Sequence, residues 1–375
     1  MNFSLWCDFV ENGFLDGEFV ALINSGKING ATSNPAIFKQ AILNSPIYKD
    51  KIAKFKAQKP KAAAKELYES LAIADIQRAA DKLALNFARK NDGFVSLEID
   101  PRLYDNAALS LGEAKRLHTS IAKANVMMKI PATSASYEVM SELMAAGVSV
   151  NATLIFSLAQ AKECFNALNS GLKAFRAKNA AALSGANSLS KNALREPQGV
   201  ISVFVSRFDR LLNSRVRDKN AVGVLNASLC YDFIRAQNEP NIRTLFASTG
   251  VKGDDLPKDY YIRELLFANS INTAPLDALR AFKGSCFGVC GEVSKGVSSG
   301  ALSDSCGENL NGKNSAQNDK NCANLNLKTP LNSNEIHAKL RQNLSDDELE
   351  KSCKFLLDDG LKQFCIAFEE ILRAV

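Results

Sequence analysis

Short apolar runs alternate with longer amphipathic stretches along most of the chain. The apolar runs are too short for core helices and are rich in β-branched and aromatic residues, which is typical of buried β-strands. Eight such runs separated by helical periodicity predict a (β/α)8 TIM barrel, an α/β fold in which residues 1–375 form one domain. The predicted strands cover residues 3–10, 28–33, 94–99, 126–131, 148–155, 200–206, 242–249 and 270–273.

The stretches between these runs repeat apolar residues at a period of about 3.6, which predicts amphipathic helices. Residues 336–375 show the same period. We expect their apolar face to pack against the barrel or across its mouth. That face consists of Leu356, Leu357, Leu361, Phe364, Phe368, Ile371 and Leu372.

Two stretches lack this alternation. Residues 178–197 are rich in Ala, Ser and Asn, and residues 284–334 are dominated by Gly, Ser, Asn and Lys. Because such compositions bury little apolar surface, we expect both to be flexible insertions. The spacing of the four cysteines in the longer stretch is poor for a zinc site, so we predict no metal. These are Cys286, Cys290, Cys306 and Cys322.

Composition and charge narrow the class of protein. Apolar residues make up 46% and charged residues 23% of the 375-residue chain, which is ordinary for a globular protein with a sizeable core. The formal charge of +6 is spread along the chain without a dense basic block. This distribution favours anionic small molecules over nucleic acid as partners.

The absence of targeting signals and the positions of cysteine and histidine further limit the possible classes of protein. No apolar window is long enough to span a membrane, and the N-terminus lacks the basic region of a secretory signal. Five of the nine cysteines lie inside apolar segments, so we expect reduced thiols and a cytoplasmic location. The two histidines, His118 and His337, lie in polar helical runs, which argues against histidine catalysis.

Lys129 is the one charged residue of the fourth predicted strand, which with its flank reads VMMKIPAT. Burying a charged lysine costs several kcal/mol unless it is paired or gives up its proton. A lysine desolvated in this way is a nucleophile. The alternative is a lysine at the end of the strand that extends its charge to water.

The active site of a barrel of this kind lies at the carboxyl ends of the strands. Burying polar residues near those ends costs less folding free energy if they meet around a common ligand than if each is buried without a partner. Taken singly, each has another explanation, because Asp and Asn often cap helices and Ser or Thr often end strands. Besides Lys129, the candidates are Asp8, Asn34, Glu98, Asn151, Thr153, Ser202, Arg207, Ser248 and Asn272.

These residue types suit a Schiff-base reaction. An uncharged Lys129 can attack a ketone, and the resulting imine is an electron sink for cleavage of a carbon–carbon bond. One carboxylate must take a proton from the hydroxyl on the breaking bond, and another must move protons during imine formation. Asp8 and Glu98 supply two carboxylates, and the amides and hydroxyls can hold a polyhydroxylated chain.

Two basic residues are candidates for binding a phosphate together with backbone amides. They are Arg207 and Lys252, the latter in the glycine-bounded loop STGVKGDD. The alternatives are a surface ion pair for Arg207 and a solvated side chain for Lys252.

Six motifs follow one another along the chain: TSNPAIF (32–38), SLEIDPRL (96–103), MKIPAT (128–133), VNATLIFSLAQA (150–161), ISVFVSR (201–207) and ASTGVK (247–252). In this order they together resemble the transaldolase family. The resemblance implies a barrel of the class I aldolase type that needs no cofactor. It also implies transfer of a dihydroxyacetone unit between sugar phosphates in the non-oxidative pentose phosphate pathway.

The resemblance also implies a role for each candidate residue. Lys129 is the Schiff-base lysine, Asp8 is the acid/base for the bond-breaking hydroxyl, and Glu98 works through a water beside Thr153. Asn34, Asn151 and Ser202 hold the donor, and Arg207 binds its phosphate. Where many members place a second phosphate-binding arginine, this chain offers Ser248 and Lys252.

Two rival functions share these residues. One is a class I aldolase that releases free dihydroxyacetone, which differs only in how well the imine intermediate is protected from protonation and water. The other is a non-catalytic barrel that binds sugar phosphates as a sensor or scaffold. For the transaldolase we expect sugar-phosphate partners, no nucleic acid or membrane, and a monomer or homodimer.

Overall fold

Eight parallel strands close into a barrel, with each strand hydrogen-bonded to the next and β8 to β1. A computed structural model describes residues 3–180, 195–284 and 326–375. Helices surround the strands, so the predicted (β/α)8 TIM barrel is confirmed. The strands are β1 (Ser4–Cys7), β2 (Gly30–Thr32), β3 (Val95–Glu98), β4 (Val126–Pro131), β5 (Ser149–Ile155), β6 (Gly199–Phe204), β7 (Ile242–Ala247) and β8 (Ile271–Ala274).

The helices fill the connections between strands and the C-terminal region. They are α1 (Asn12–Asp16), α2 (Glu18–Asn24), α3 (Pro35–Asn44), α4 (Pro46–Gln58), α5 (Ala64–Ala88), α6 (Ala107–Ile121), α7 (Ser136–Ala145) and α8 (Leu158–Lys178). After β6 come α9 (Ser206–Leu212), α10 (Val222–Ala236), α11 (Tyr260–Glu264), α12 (Leu276–Ala281), α13 (Ser333–Arg341) and α14 (Asp346–Ala374). A short 3-10 helix, Pro101–Leu103, follows β3.

Local sequence sets where several helices begin. Asn34 accepts a hydrogen bond from the backbone of Ile37, and Pro35 follows at the first helical position of α3. Ser345 caps α14 in a reciprocal pair with Glu348, the arrangement called a capping box. These caps satisfy backbone N–H groups that have no partner inside the helix.

A buried polar cluster closes the amino-terminal end of the barrel. The Trp6 indole donates to Asp92 Oδ2 at 3.1 Å, and Arg243 pairs with the same carboxylate. Gly30 is needed beside it, because a Cβ there would lie 2.6 Å from the indole ring. Active sites in this fold lie at the other end of the barrel, so we infer that this cluster stabilises the fold and takes no part in the reaction.

The long helix α14 crosses the carboxyl-terminal mouth of the barrel. The Cys353 thiol contacts the backbone carbonyl oxygen of Phe156, just after β5, at 3.0 Å. Further along the helix, the Phe368 ring packs edge-on against Tyr68 with centroids 5.1 Å apart. The apolar face of α14 is therefore turned towards the strand ends.

Two predictions fall largely or wholly outside the described residues. Most of the predicted insertions 178–197 and 284–334 lies there, and so do Cys286, Cys290, Cys306 and Cys322. Within residues 3–180, 195–284 and 326–375, no helix combines the length and apolar character needed to span a bilayer.

Candidate active site

The register of three adjacent strands lines up the central candidate residues. Glu98 on β3 is paired with Lys129 on β4, and Lys129 is paired with Asn151 on β5. Residues that pair across parallel strands point to the same face of the sheet. The three side chains therefore enter the barrel side by side near its carboxyl end.

Lys129 is buried, with a relative exposure of 5%. Its Nζ donates to the backbone carbonyl oxygen of Ser33 at 3.2 Å and lies 3.5 Å from Glu98 Oε2. The aromatic ring of Phe364, on α14, lies over it with the centroid 6.0 Å from Nζ. The predicted desolvated position is thus observed, and the alternative of a lysine extended into water is wrong.

Glu98 faces Lys129 with unused hydrogen-bonding capacity. Within the described residues, neither carboxylate oxygen has a hydrogen-bond partner, because the contact with Lys129 is only a long ion pair. Burial raises the pKa of Glu98 to about 7; Lys129 opposes this rise, and the negative charge of Asp8 adds to it. A carboxyl group with this pKa can both accept and donate a proton near neutral pH.

Thr153 also lies inside this end of the barrel. It is fully buried, and its Oγ1 has no hydrogen-bond partner among residues 3–180, 195–284 and 326–375. Such groups are normally satisfied by water or a ligand. A hydroxyl of this kind can hold a small polar molecule.

Asp8 follows β1 and is partly exposed at the mouth. The hydroxyl of Thr32 donates to its Oδ1 at 2.6 Å, and the same hydroxyl lies 2.6 Å from Thr273 Oγ1. Burial raises the pKa of Asp8, while Lys129 and the hydrogen bond from Thr32 oppose the rise. The influence of Lys129 on its titration places Asp8 in the same electrostatic environment as Lys129 and Glu98.

Asn151 lies in a chain of buried hydrogen bonds. Its amide donates to Ser96 Oγ at 3.0 Å, and its carbonyl oxygen accepts from Ser202 Oγ at 2.6 Å. Ser202 belongs to the adjacent strand β6 and Ser96 to β3, two strands away on the other side, so the network fixes the orientation of the amide. Asn34 is partly exposed at the mouth, and its side-chain oxygen is engaged in capping α3.

An irregularity in β5 shapes the mouth next to Thr153. The pairing of β5 with β6 shifts between Ala152 and Ile155, and Leu154 has a φ of 60°. Gln160 satisfies the distorted backbone by accepting from the Phe156 N–H at 3.0 Å and donating to the Leu154 carbonyl oxygen at 3.2 Å. Bulges of this type redirect side chains near functional sites.

Arg207 lies at the start of α9 and approaches the same centre. Its guanidinium lies over the rings of Phe204 and Phe364, at 5.3 Å and 6.0 Å from their centroids. The nearest carboxylate oxygen, Asp359 Oδ2 on α14, is 3.9 Å from Nη1. That Nη1 is buried and has no hydrogen-bond partner in the part of the chain that the structure describes. The geometry leaves a buried donor that an anion can satisfy.

Ser248 and Lys252 lie after β7, and the structure separates them. Ser248 Oγ lies 3.1 Å from the Oγ of Ser206, and Ser206 is the residue that precedes Arg207 in the chain. Lys252 is exposed and lines a cavity of about 570 Å³ together with Arg210 and Lys219, whereas Arg207 does not line it. Ser248 therefore contacts the residue next to Arg207, whereas Lys252 lies in the wall of a cavity that Arg207 does not line.

The candidate Asn272 does not join the group. Its amide donates to the backbone carbonyl oxygen of Tyr261 in the outer helix layer at 3.4 Å. The hydroxyl of its neighbour Thr273 instead lies 2.6 Å from the Thr32 hydroxyl, which donates to Asp8. Successive strand residues face opposite sides, so only one of this pair can point inward.

Sequence reasoning missed several residues of the site. Side chains along a strand alternate between the inside and the outside of the barrel, and Thr32 and Thr273 occupy inward positions. This alternation would have identified both residues if the register of the strands had been known. Asp359 and Phe364 come from α14, where the periodic pattern marks only an apolar face. The sequence predicted that this face packs against the barrel or across its mouth, but it left open which of the two occurs and which residues reach the site.

The chain is similar to known proteins along nearly its whole length. The family model described as Transaldolase/Fructose-6-phosphate aldolase matches residues 5–375. A Transaldolase of Campylobacter jejuni is 58% identical over 374 residues, covering 100% of this chain and 99% of that protein. A Transaldolase of Helicobacter pylori is 41% identical over 377 residues, covering 99% of each chain.

Proposed function

This chain belongs to the transaldolase/fructose-6-phosphate aldolase family and is an enzyme of that type, and we propose that it transfers a dihydroxyacetone unit between sugar phosphates. The donor is fructose 6-phosphate or sedoheptulose 7-phosphate, and the acceptor is erythrose 4-phosphate or glyceraldehyde 3-phosphate. The observation that carries the proposal is the buried Nζ of Lys129, 3.5 Å from the Glu98 carboxylate. The reaction belongs to the non-oxidative pentose phosphate pathway.

The first stage is formation of an imine on Lys129. The uncharged amine attacks the C2 carbonyl of the donor, and the carbinolamine then loses water to give a protonated imine. Glu98 takes the proton from the attacking nitrogen and returns it to the departing hydroxyl, through a water held by Thr153. The elevated pKa of Glu98, about 7, suits both transfers.

The second stage is cleavage of the bond between C3 and C4. Asp8 removes the proton of the C4 hydroxyl, and the electrons of the breaking bond flow into the imine. The aldose phosphate leaves and a dihydroxyacetone enamine remains on Lys129. The acceptor aldehyde then reacts with C3 of the enamine, Asp8 returns its proton to the new hydroxyl, and water releases the product from Lys129.

Side chains around the lysine hold the donor in place. Asn34, Asn151 and Ser202 bind its hydroxyl groups, and the hydrogen-bond chain through Ser96 sets the orientation of Asn151. Arg207 binds the phosphate with its buried Nη1, which has no hydrogen-bond partner among the described residues. Ser248 assists from beside Ser206, and Lys252 adds longer-range attraction for the anion from the exposed loop.

The competing candidate within the family is an aldolase that releases free dihydroxyacetone. Parallel assays with and without an acceptor aldehyde distinguish the two. A transaldolase forms sedoheptulose 7-phosphate from fructose 6-phosphate and erythrose 4-phosphate, and releases little dihydroxyacetone when no acceptor is present. Equal consumption of the donor with and without acceptor would identify an aldolase. Cytoplasmic location and a monomeric or homodimeric state stay predictions.

A further inference from the structure

Phe364 brings the C-terminal helix into contact with the proposed reaction centre. Its ring centroid lies 6.0 Å from Lys129 Nζ and 6.0 Å from the guanidinium carbon of Arg207. The side chain is almost completely buried, with an exposure of 6%. One ring therefore covers both the lysine that forms the imine and the arginine proposed to bind phosphate.

The helix that carries this ring is held close to the strands. Gly360, one turn earlier on the same side, has no side chain, and a Cβ there would lie 3.0 Å from Leu154 Cδ2 and 3.2 Å from Arg207 Nη1. Contacts of Cys353 with Phe156 and of Phe368 with Tyr68 fix the helix on both sides. The Phe364 ring is thus held over Lys129 by packing along the whole helix.

The position of the ring matters at one step of the reaction. After cleavage, the enamine on Lys129 has two fates: its C3 attacks an acceptor aldehyde, or C3 takes up a proton and the resulting imine is hydrolysed. In the second case water supplies the ketone oxygen, Lys129 regains its amine and free dihydroxyacetone leaves. Keeping water and acids away from the lysine therefore favours transfer.

We propose that Phe364 is a specificity-determining residue that shields the lysine-bound enamine from water, so that it reacts with an acceptor aldehyde. This inference rests on the proposed function. The ring also offers its negative face to the positively charged imine, which favours that intermediate. The C-terminal helix would thereby decide between transferase and aldolase behaviour.

The experiment compares Phe364→Ala and Phe364→Leu with the full-length wild-type enzyme. Fructose 6-phosphate is supplied with erythrose 4-phosphate, and free dihydroxyacetone and sedoheptulose 7-phosphate are measured in one sample. Their ratio does not depend on the fraction of enzyme that is folded. The matched control is Phe355→Ala, since Phe355 lies on the same helix but is 56% exposed.

We expect Phe364→Ala to raise the ratio of dihydroxyacetone to sedoheptulose 7-phosphate by about fivefold or more. Phe364→Leu restores apolar cover without the ring and should give a smaller rise, while Phe355→Ala should match the wild type. An unchanged ratio in both Phe364 variants would overturn the shielding role. Absence of sedoheptulose 7-phosphate from the wild-type reaction would instead contradict the proposed function itself.

Discussion

Glu98 Oε2 and Lys129 Nζ lie 3.5 Å apart at paired positions on adjacent strands, and both side chains are almost fully buried. This distance is long for a hydrogen bond between charged groups. The pair is therefore not a tight, short ion pair. A proton acceptor lies beside a nucleophile, and within the described residues neither carboxylate oxygen of Glu98 has a hydrogen-bond partner.

The pH dependence of imine formation should follow the titration of Glu98. Its pKa is about 7, and the ionised form is needed to take the proton from the attacking amine. The rate of adduct formation with fructose 6-phosphate should therefore rise as the pH increases through about 7 and then level off. In Glu98→Gln this inflection should disappear, as measured by single-turnover quenching across pH. An inflection that persists in the variant would assign the titration to another group.

Asp8→Asn should separate imine formation from bond cleavage. The amide keeps the size of the side chain and its contact with Thr32 but cannot accept the proton of the C4 hydroxyl. We expect the release of glyceraldehyde 3-phosphate to slow by about 10²- to 10⁴-fold, the usual contribution of a general base. The imine with donor should still form and be detectable by mass spectrometry after borohydride reduction. Loss of the imine itself would contradict the role given to Asp8.

Arg207→Gln should weaken binding of the phosphate. Removing a charged donor whose Nη1 lacks a partner in the described chain should lower kcat/KM for fructose 6-phosphate by about 10- to 100-fold. Unphosphorylated fructose should react equally well, or equally poorly, with variant and wild type. The exposed Arg215 gives a matched control in Arg215→Gln.

Lys252→Gln should lower kcat/KM for fructose 6-phosphate less than Arg207→Gln does. The reverse order of effects would place the phosphate at the loop after β7.

The cluster at the opposite end of the barrel should affect stability without affecting catalysis. Arg243→Met leaves the buried Asp92 without its cation, which typically costs about 3 to 5 kcal/mol of unfolding free energy. Urea denaturation measures this loss, and the kcat of the folded enzyme should not change. The double variant Arg243→Met with Asp92→Asn should recover part of the stability. A change in kcat at full folding would show that this end influences the site.

The order of strands and helices could be predicted because each buried strand is a short apolar run bounded by turn residues. The predicted ends of the strands differ from the observed ends by a few residues. This matters at β8, where a shift of one position makes Thr273, instead of Asn272, the residue that points inward. Lys129, Asp8 and Glu98 could be proposed as candidates because charged groups beside or within apolar strands are costly, and their roles in the reaction stay predictions.

The sequence predicted that the C-terminal helical region packs against the barrel or across its mouth, but not which of its residues reach the site. Phe364 and Asp359 reach the site only through packing between segments distant in sequence. An apolar periodicity shows that a helix face is covered but does not identify the surface that covers it. The same limit applies to Arg243 and Asp92, which lie far apart along the chain yet pair inside the barrel.

The most direct test of the account is reduction with borohydride in the presence of fructose 6-phosphate, followed by peptide mass spectrometry. We predict one covalent dihydroxyacetone adduct, located on Lys129, and no adduct in Lys129→Met. The exposed Lys252 gives a matched control in Lys252→Met, which should be labelled on Lys129 like the wild type. An adduct on another lysine, or equal trapping in Lys129→Met, would contradict the central role of Lys129.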